Sequence, residues 1–186
     1  MVETVHAARH DLELVALTVA GGGSAFGELV RRHGSAVRAL LRRMGADSHL
    51  ADDLAQDAFL AAFEQITEFR GEGTFQAWVK RIAARAYVKR WRRDAREALM
   101  AETPEPDSTP VDVVTGIDLD EALRSLSGPE RMCVSLCYGA GLSHAEAASA
   151  LNAPLGTVKS HVKRGIDKLR LRLAPGGGVV ESRANG

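Results

Sequence analysis

Leu142 to Leu173 reads "LSHAEAASALNAPLGTVKSHVKRGIDKLRLRL". Ser143 with Glu146 three residues on forms a capping box, hydroxyl to backbone N–H and carboxylate back to the cap. This predicts a short helix to Leu151, closed by Asn152 in the left-handed conformation that asparagine tolerates. Pro154 and Gly156 make a turn, and a second helix is expected from about Thr157. Val158, Val162, Ile166, Leu169 and Leu173 fall on its inner face, and Lys159, Ser160, Lys163 and Arg164 point outward. A short helix, a tight turn and a second helix with a basic outer face form a helix-turn-helix, whose second helix enters a DNA major groove. The bland alternative is an αα-hairpin with a solvated basic face. The cap, the turn spacing and the outward cations together favour DNA.

Working outward, the charge is unevenly placed although the 186 residues balance to zero. Residues 1–69 hold ten acidic and six basic side chains, and residues 70–96 hold nine basic and two acidic. Residues 97–130 hold nine acidic and one basic, and residues 131–186 hold eight basic and three acidic. Two cationic blocks suit two polyanion surfaces, leaving the acidic blocks for another partner. The first block contains "FRGEGTFQAWVKRIAARAYVKRWRR", Phe69 to Arg93, with Phe69, Phe75, Trp78, Tyr87 and Trp91 among its cations. A helix from Phe75 to about Ala98 would bury Val79, Ile82, Ala83, Ala86 and Trp91. Arg81, Arg85, Lys89, Arg92 and Arg93 would be free for phosphates, whose neutralisation releases counterions. Gly71 and Gly73 give a loop whose backbone can approach a ligand. Each ring alone suits a core, but the cluster beside such a loop suits stacking on unpaired bases.

The rest of the chain also reads as helix. "DLELVALTVA" ends at Gly21-Gly22-Gly23. Ser24 is expected to cap "AFGELVRRHGSAVRALLRRM", which has a soft spot at Gly34. Asp47 or Ser48 opens "HLADDLAQDAFLAAFEQI", with Leu50, Leu54, Ala58, Phe59, Ala62 and Phe63 on one face. Asp52, Asp53, Gln56 and Asp57 lie on the other, an acidic face suited to a protein partner. "ETPEPDSTPVD", Glu102 to Asp112, is proline-rich and acidic and reads as a linker. "IDLDEALRSL" follows, then a turn at Ser127-Gly128-Pro129 and a helix from Glu130 to about Tyr138. The segment from Pro175 reads as disordered. The expected fold is all-α: two small helical domains joined by a flexible linker. The bounds are 1–98, a linker at 99–116, a helix-turn-helix domain at 117–174 and a tail at 175–186.

Several chemistries find no footing. No apolar run approaches the roughly 18 residues of a membrane span, and the N-terminus has no signal-peptide pattern. A cytoplasmic location is the expectation. Gly21-Gly22-Gly23-Ser24 lacks the lysine of a phosphate-binding loop. His6 and His10 share a helical spacing, but no third metal ligand is evident. Cys133 and Cys137 are read as small buried apolar side chains. A metal-dependent nucleic-acid enzyme built on Asp52, Asp53 and Asp57 would need acids from separate elements. A stand-alone helix-turn-helix regulator would leave "FRGEGTF" unexplained.

"AFGELVRRHG", "ADDLAQDAFLAAFE", "FRGEGTFQAWVKRIA" and "LSGPERMCVSLCYGAGLSHAEAASALNAPLGTVKSHVKRGIDKLR", in this order and spacing, resemble the extracytoplasmic-function class of sigma-70 family sigma factors. These are the promoter-recognition subunits of bacterial RNA polymerase, and the likeness covers roughly residues 11–173. The resemblance implies a non-enzymatic protein with no cofactor and no metal. It implies that Asp52, Asp53, Gln56 and Asp57 dock on the β′ clamp helices of core RNA polymerase, with a further contact to the β flap. It implies that Arg70, Gly71, Glu72, Gly73, Thr74, Trp78, Arg81, Arg85 and Lys89 serve the −10 element as melted promoter DNA. Thr157, Lys159, Ser160, His161, Lys163 and Arg164 would serve the −35 duplex. An anti-sigma factor is the implied inhibitor. Arg85 and Lys89 replace the usual asparagine and acidic residue, so this helix is more basic than the pattern. Ala147 and Ala150 stand where larger aliphatics are usual, which predicts closer or weaker packing of that helix. His161 stands where arginine is common.

Overall fold

The computed structural model describes residues 10–100 and 119–173, which form a short 3-10 turn at Ile66–Glu68, a π-helical turn at Ser135–Gly139 and eight α-helices: α1 (Asp11–Val19), α2 (Gly23–Met44), α3 (Ser48–Glu64), α4 (Phe75–Met100), α5 (Leu119–Arg124), α6 (Gly128–Val134), α7 (His144–Leu151) and α8 (Leu155–Leu173). The linker and tail readings, and His6, lie outside the described residues.

α1 to α4 form the first helical domain. α2 is the central strut, packed by α1, α3 and α4. It starts at Gly23 after Gly22, so Ser24 lies inside its first turn and is not the cap. Gly34 does not break it, being buried within the continuous helix. A buried carboxylate fixes α2's first turns. Glu28 accepts from Arg31 and Arg32 at 2.7 Å each. The Arg31 hydrogen bond, then that from Arg32, holds its pKa down to about 2 against the opposing cost of burial. Arg32 and His33 reach Asp11 on α1 at 3.0 and 2.8 Å. Of the two openings the sequence offered, Asp47 is the cap of α3, accepting from Leu50 N–H at 2.8 Å, and Ser48 is the first helical residue.

The aromatic cluster is mainly core. Phe26 meets Phe59, Phe63 and Phe75 edge-on, and Phe75 is 1% exposed. Tyr87 is buried and donates to Met44 O at 3.3 Å, burial raising its pKa. Trp91, expected inside, is 44% exposed, and Phe63 is 46% exposed. Trp91 sits where α4 has outrun the body of the domain, and Phe63 lies at the edge of the α3 stripe.

α5 to α8 form the second domain. α6 and α8 pack closely: a Cβ at Gly165 would lie 2.7 Å from Val134 Cγ2. A second capping box, at Ser127 and Glu130, starts α6, so the helix begins two residues before the expected Glu130. It then passes into a wider turn, Ser135–Gly139, with the N–H of Ala140 reaching back to Ser135 O. α7 is capped by Ser143 and Glu146 and ends at Asn152 with φ 53°. α8 begins at Leu155 rather than Thr157, and Leu173, expected inward, is 42% exposed at its end. Cys133 is buried, and burial pushes its thiol up to about 11.

The two domains share one apolar cluster, in which Leu40, Leu41, Ala84 and Val88 of the first meet Met132, Leu136, Ala140, Leu142 and Ala147 of the second. α7 lies on α4, and the small Ala147, 0% exposed, takes the closer of the two packings the sequence allowed.

Candidate nucleic-acid interface

Arg70 to Thr74 form the loop ahead of α4. Gly71 and Gly73 take φ of 77° and 90°, a backbone that glycine adopts without a Cβ penalty. Arg70, Glu72, Gly73 and Thr74 are exposed and Gly71 is half-buried. Thr74 has a structural task as well: its Oγ1 accepts from Ala77 N–H at 3.2 Å and so caps α4. Trp78 is half-buried, tilted against Phe69 and Phe75 at centroid distances of 5.4 and 5.8 Å. Its packed neighbours fix the ring while one side stays open, so stacking room is narrower than the count of aromatics suggested.

Along α4, Arg85 and Lys89 are exposed. With Arg92 and Arg96 they line a groove of about 410 Å³, whose far wall is Glu146, Ser149 and Ala150 of α7. Arg81, expected outside, is half-buried. Its guanidinium donates to Gly141 O at 2.8 Å and lies 3.9 Å from the Glu146 carboxylate. Arg92, also half-buried, donates to Ala150 O at 3.3 Å.

α8 presents Thr157, Lys159, Ser160, Lys163 and Arg164 to solvent, and His161 is half-buried. Ser160 donates to Gly156 O within its own helix at 2.9 Å. Arg164 lies 3.0 Å from His161 Nδ1 and 3.8 Å from Glu130. The position of α8 rests on a residue that sequence reading did not single out. Glu130, 4% exposed, accepts from Lys168 at 2.7 Å and from Ser127 N–H at 3.1 Å. The Lys168 bond chiefly lowers its pKa, against desolvation. The serine three residues before a glutamate was the available signal.

On α3, Asp52, Asp53, Gln56 and Asp57 are all exposed. Asp52 lies 3.6 Å from Arg38 and Asp53 3.1 Å from His49. Leu60, 56% exposed, and Phe63 continue the same face. The surface is thus acidic with apolar anchors, a composition suited to a protein partner rather than to DNA. Leu60 was legible as the residue three beyond Asp57 on that face.

No group of acids, histidines and cysteines that could hold a metal occurs among the described residues. No helix among them is long and apolar enough to cross a membrane.

Residues 29–97 match the family described as Sigma-70 region 2, and residues 122–171 match Sigma-70, region 4. With the fold, these matches define a two-domain protein of the sigma-70 type. Among curated proteins the chain is 38% identical over 157 residues to the ECF RNA polymerase sigma factor SigE of Mycolicibacterium smegmatis, covering 79% of this chain and 61% of that one. It is 36% identical over 171 residues to SigM of Mycobacterium tuberculosis, covering 89% of this chain and 84% of that one. Among solved structures it resembles RpoE of Bartonella quintana, held by the anti-sigma factor NepR, with a TM-score of 0.59 and 25% identity over 80% of this chain and 96% of that one. CnrH, in complex with the cytosolic domain of CnrY, gives a TM-score of 0.51 and 30% identity over 86% of this chain and 94% of that one. The chain belongs to the extracytoplasmic-function class of sigma-70 family sigma factors.

Proposed function

We propose that this chain binds core RNA polymerase and directs promoter-specific transcription initiation as a non-enzymatic subunit in the cytoplasm. The outer face of α8 reads a −35 duplex, where a helix fits the major groove. The loop at 70–74 and the exposed cations of α4 hold the melted −10 strand, with Trp78 as the stacking edge. The acidic and apolar face of α3 docks on the β′ clamp helices, and the second domain meets the β flap. The working units are residues 1–98 and 117–174, separated by 99–116 and followed by 175–186. An anti-sigma factor is the expected inhibitor, since the RpoE relative was solved with one.

The observation that carries the reading is the separation of two cationic helices, α4 and α8, onto different domains of a chain with an acidic α3 face. The test begins with promoters selected from random sequence by transcription with core polymerase. Lys159→Ala with Arg164→Ala should weaken binding to the −35 duplex, a base contact being worth roughly 1–3 kcal/mol and a phosphate contact weakening all sequences alike. Arg85→Ala with Lys89→Ala should spare that binding and reduce permanganate reactivity of unpaired thymines. Loss of duplex −35 binding in the Arg85/Lys89 pair, with normal use of premelted promoters, would overturn the assignment of α4.

A further inference from the structure

The loop at 70–74 is held at both ends and touched from behind. Phe69 just before it and Phe75 just after it meet edge-on, with ring centroids 5.7 Å apart. Phe75 in turn lies 5.7 Å from the ring of His33 on α2. His33 Nε2 is 2.8 Å from Asp11, which also accepts from Arg32 at 3.0 Å. Those pairs fix the first turn of α1, whose N-cap residue, His10, makes no side-chain cap bond. The next residue, Leu12, closes the circuit: its Cδ2 lies 3.3 Å from where a Cβ on Gly71 would stand. Contacts thus run from the end of the loop through α2 and α1 and back to its tip.

Leu12 does little for the core. Leu14, Val15 and Thr18 are the buried positions of α1, whereas Leu12 is 52% exposed. Half its surface stays in water, so it returns only part of the burial energy of a core leucine. Its contact with the loop is specific. Beyond the glycine's own chain neighbours, Leu12 Cδ2 is the only heavy atom among the described residues within 4 Å of a Cβ at Gly71. Nothing among them stands within 4 Å of a Cβ at Gly73. The loop therefore has a wall behind Gly71 and an open mouth at Gly73. Both glycines take positive φ, 77° and 90°, and among the described residues no hydrogen bond ties residues 70–73. A glycine tip without such ties is free to shift, and the α1 contact is what limits it.

We propose that Leu12 is a positioning residue for base selection: from α1 it backs Gly71 and sets how far the loop tip retreats from an unpaired base. This rests on the loop at 70–74 taking the melted −10 strand, as proposed above. Full-length wild type, Leu12→Ala and Leu12→Met are each assembled with core polymerase. Transcribed promoters are then selected from a library randomised across the −10 and −35 elements. A right base is ordinarily worth roughly 5- to 150-fold over a wrong one, and Leu12→Ala should lower that ratio by at least about threefold at one −10 position. The −35 profile should stay as in wild type. Leu12→Met, whose flexible side chain refills the contact, should restore the −10 preference. A merely structural leucine would instead lower transcription alike on every sequence and leave the preferences unchanged. The proposal is overturned by an unchanged −10 profile in Leu12→Ala, or by equal relaxation at both elements. Arg70→Ala with Glu72→Ala, in the loop itself, separates the two readings. If that pair alters the −10 profile while Leu12→Ala does not, the positioning role falls and the loop keeps its assignment. If neither alters it, the loop reading falls as well.

Discussion

Glu130→Ala removes the carboxylate on which α6 and α8 both rest. In the wild type that group accepts from Ser127 N–H at 3.1 Å and from Lys168 at 2.7 Å. The loss of the capping-box bond is worth about 1 kcal/mol. The bond to Lys168 is charge-assisted, but the lysine side chain is 51% exposed, so its share is about 0.5–1 kcal/mol. The expected destabilisation is therefore about 1.5–2 kcal/mol near neutral pH. Urea titrations followed by far-ultraviolet circular dichroism would measure it. Glu130→Gln keeps a cap acceptor while losing the charge, and should fall between the two. The sign of the pH dependence follows from the lowered pKa. Stabilisation by Glu130 is fully present above the ordinary carboxyl value of 4.5 and is lost as pH falls through the lower folded value. The gap between wild type and Glu130→Ala should thus be widest near neutrality and close in acid. A loss below about 0.5 kcal/mol, or a gap that widens on acidification, would refute the view that this carboxylate braces the recognition helix.

Asp53→Arg with Asp57→Arg should abolish co-elution with core polymerase while changing unfolding free energy by no more than about 0.5 kcal/mol per site, as expected for exposed substitutions; wild-type affinity in the double variant would remove α3 from the polymerase interface. Gly165→Ala should destabilise the second domain by about 1–3 kcal/mol despite alanine's better helix propensity. The added methyl would lie 2.7 Å from Val134 Cγ2, on a stiff branched side chain. A rise in the urea midpoint would show that α6 can yield there.

The sequence by itself determined the local structure wherever one residue's chemistry answers one backbone need. Asp47, Ser143 with Glu146, and Asn152 each satisfy groups that a helix end leaves orphaned, and each is found in that role. It determined the helix-turn-helix and the exposed cations of α8, because a period of 3.6 sorts Val158 and Val162 from Lys159 and Lys163 without reference to any neighbour. The family, too, was legible in the order of its motifs. Ser24 misled because Gly22 starts the helix two residues earlier, with no side-chain cap. The rings of Phe75, Tyr87 and Trp91 were not legible one by one. An aromatic in a basic helix serves a core or a base equally well until the facing helices are in place. Those neighbours buried Phe75 and Tyr87 and left Trp91 outside. The domain seam belongs wholly to tertiary structure: Gly139 meets Leu40, and Arg81 meets Gly141 O, across separations in sequence that no periodicity spans. Whether the cations of α4 face water or α7 is decided by that long-range packing, since the charge pattern is the same in both cases.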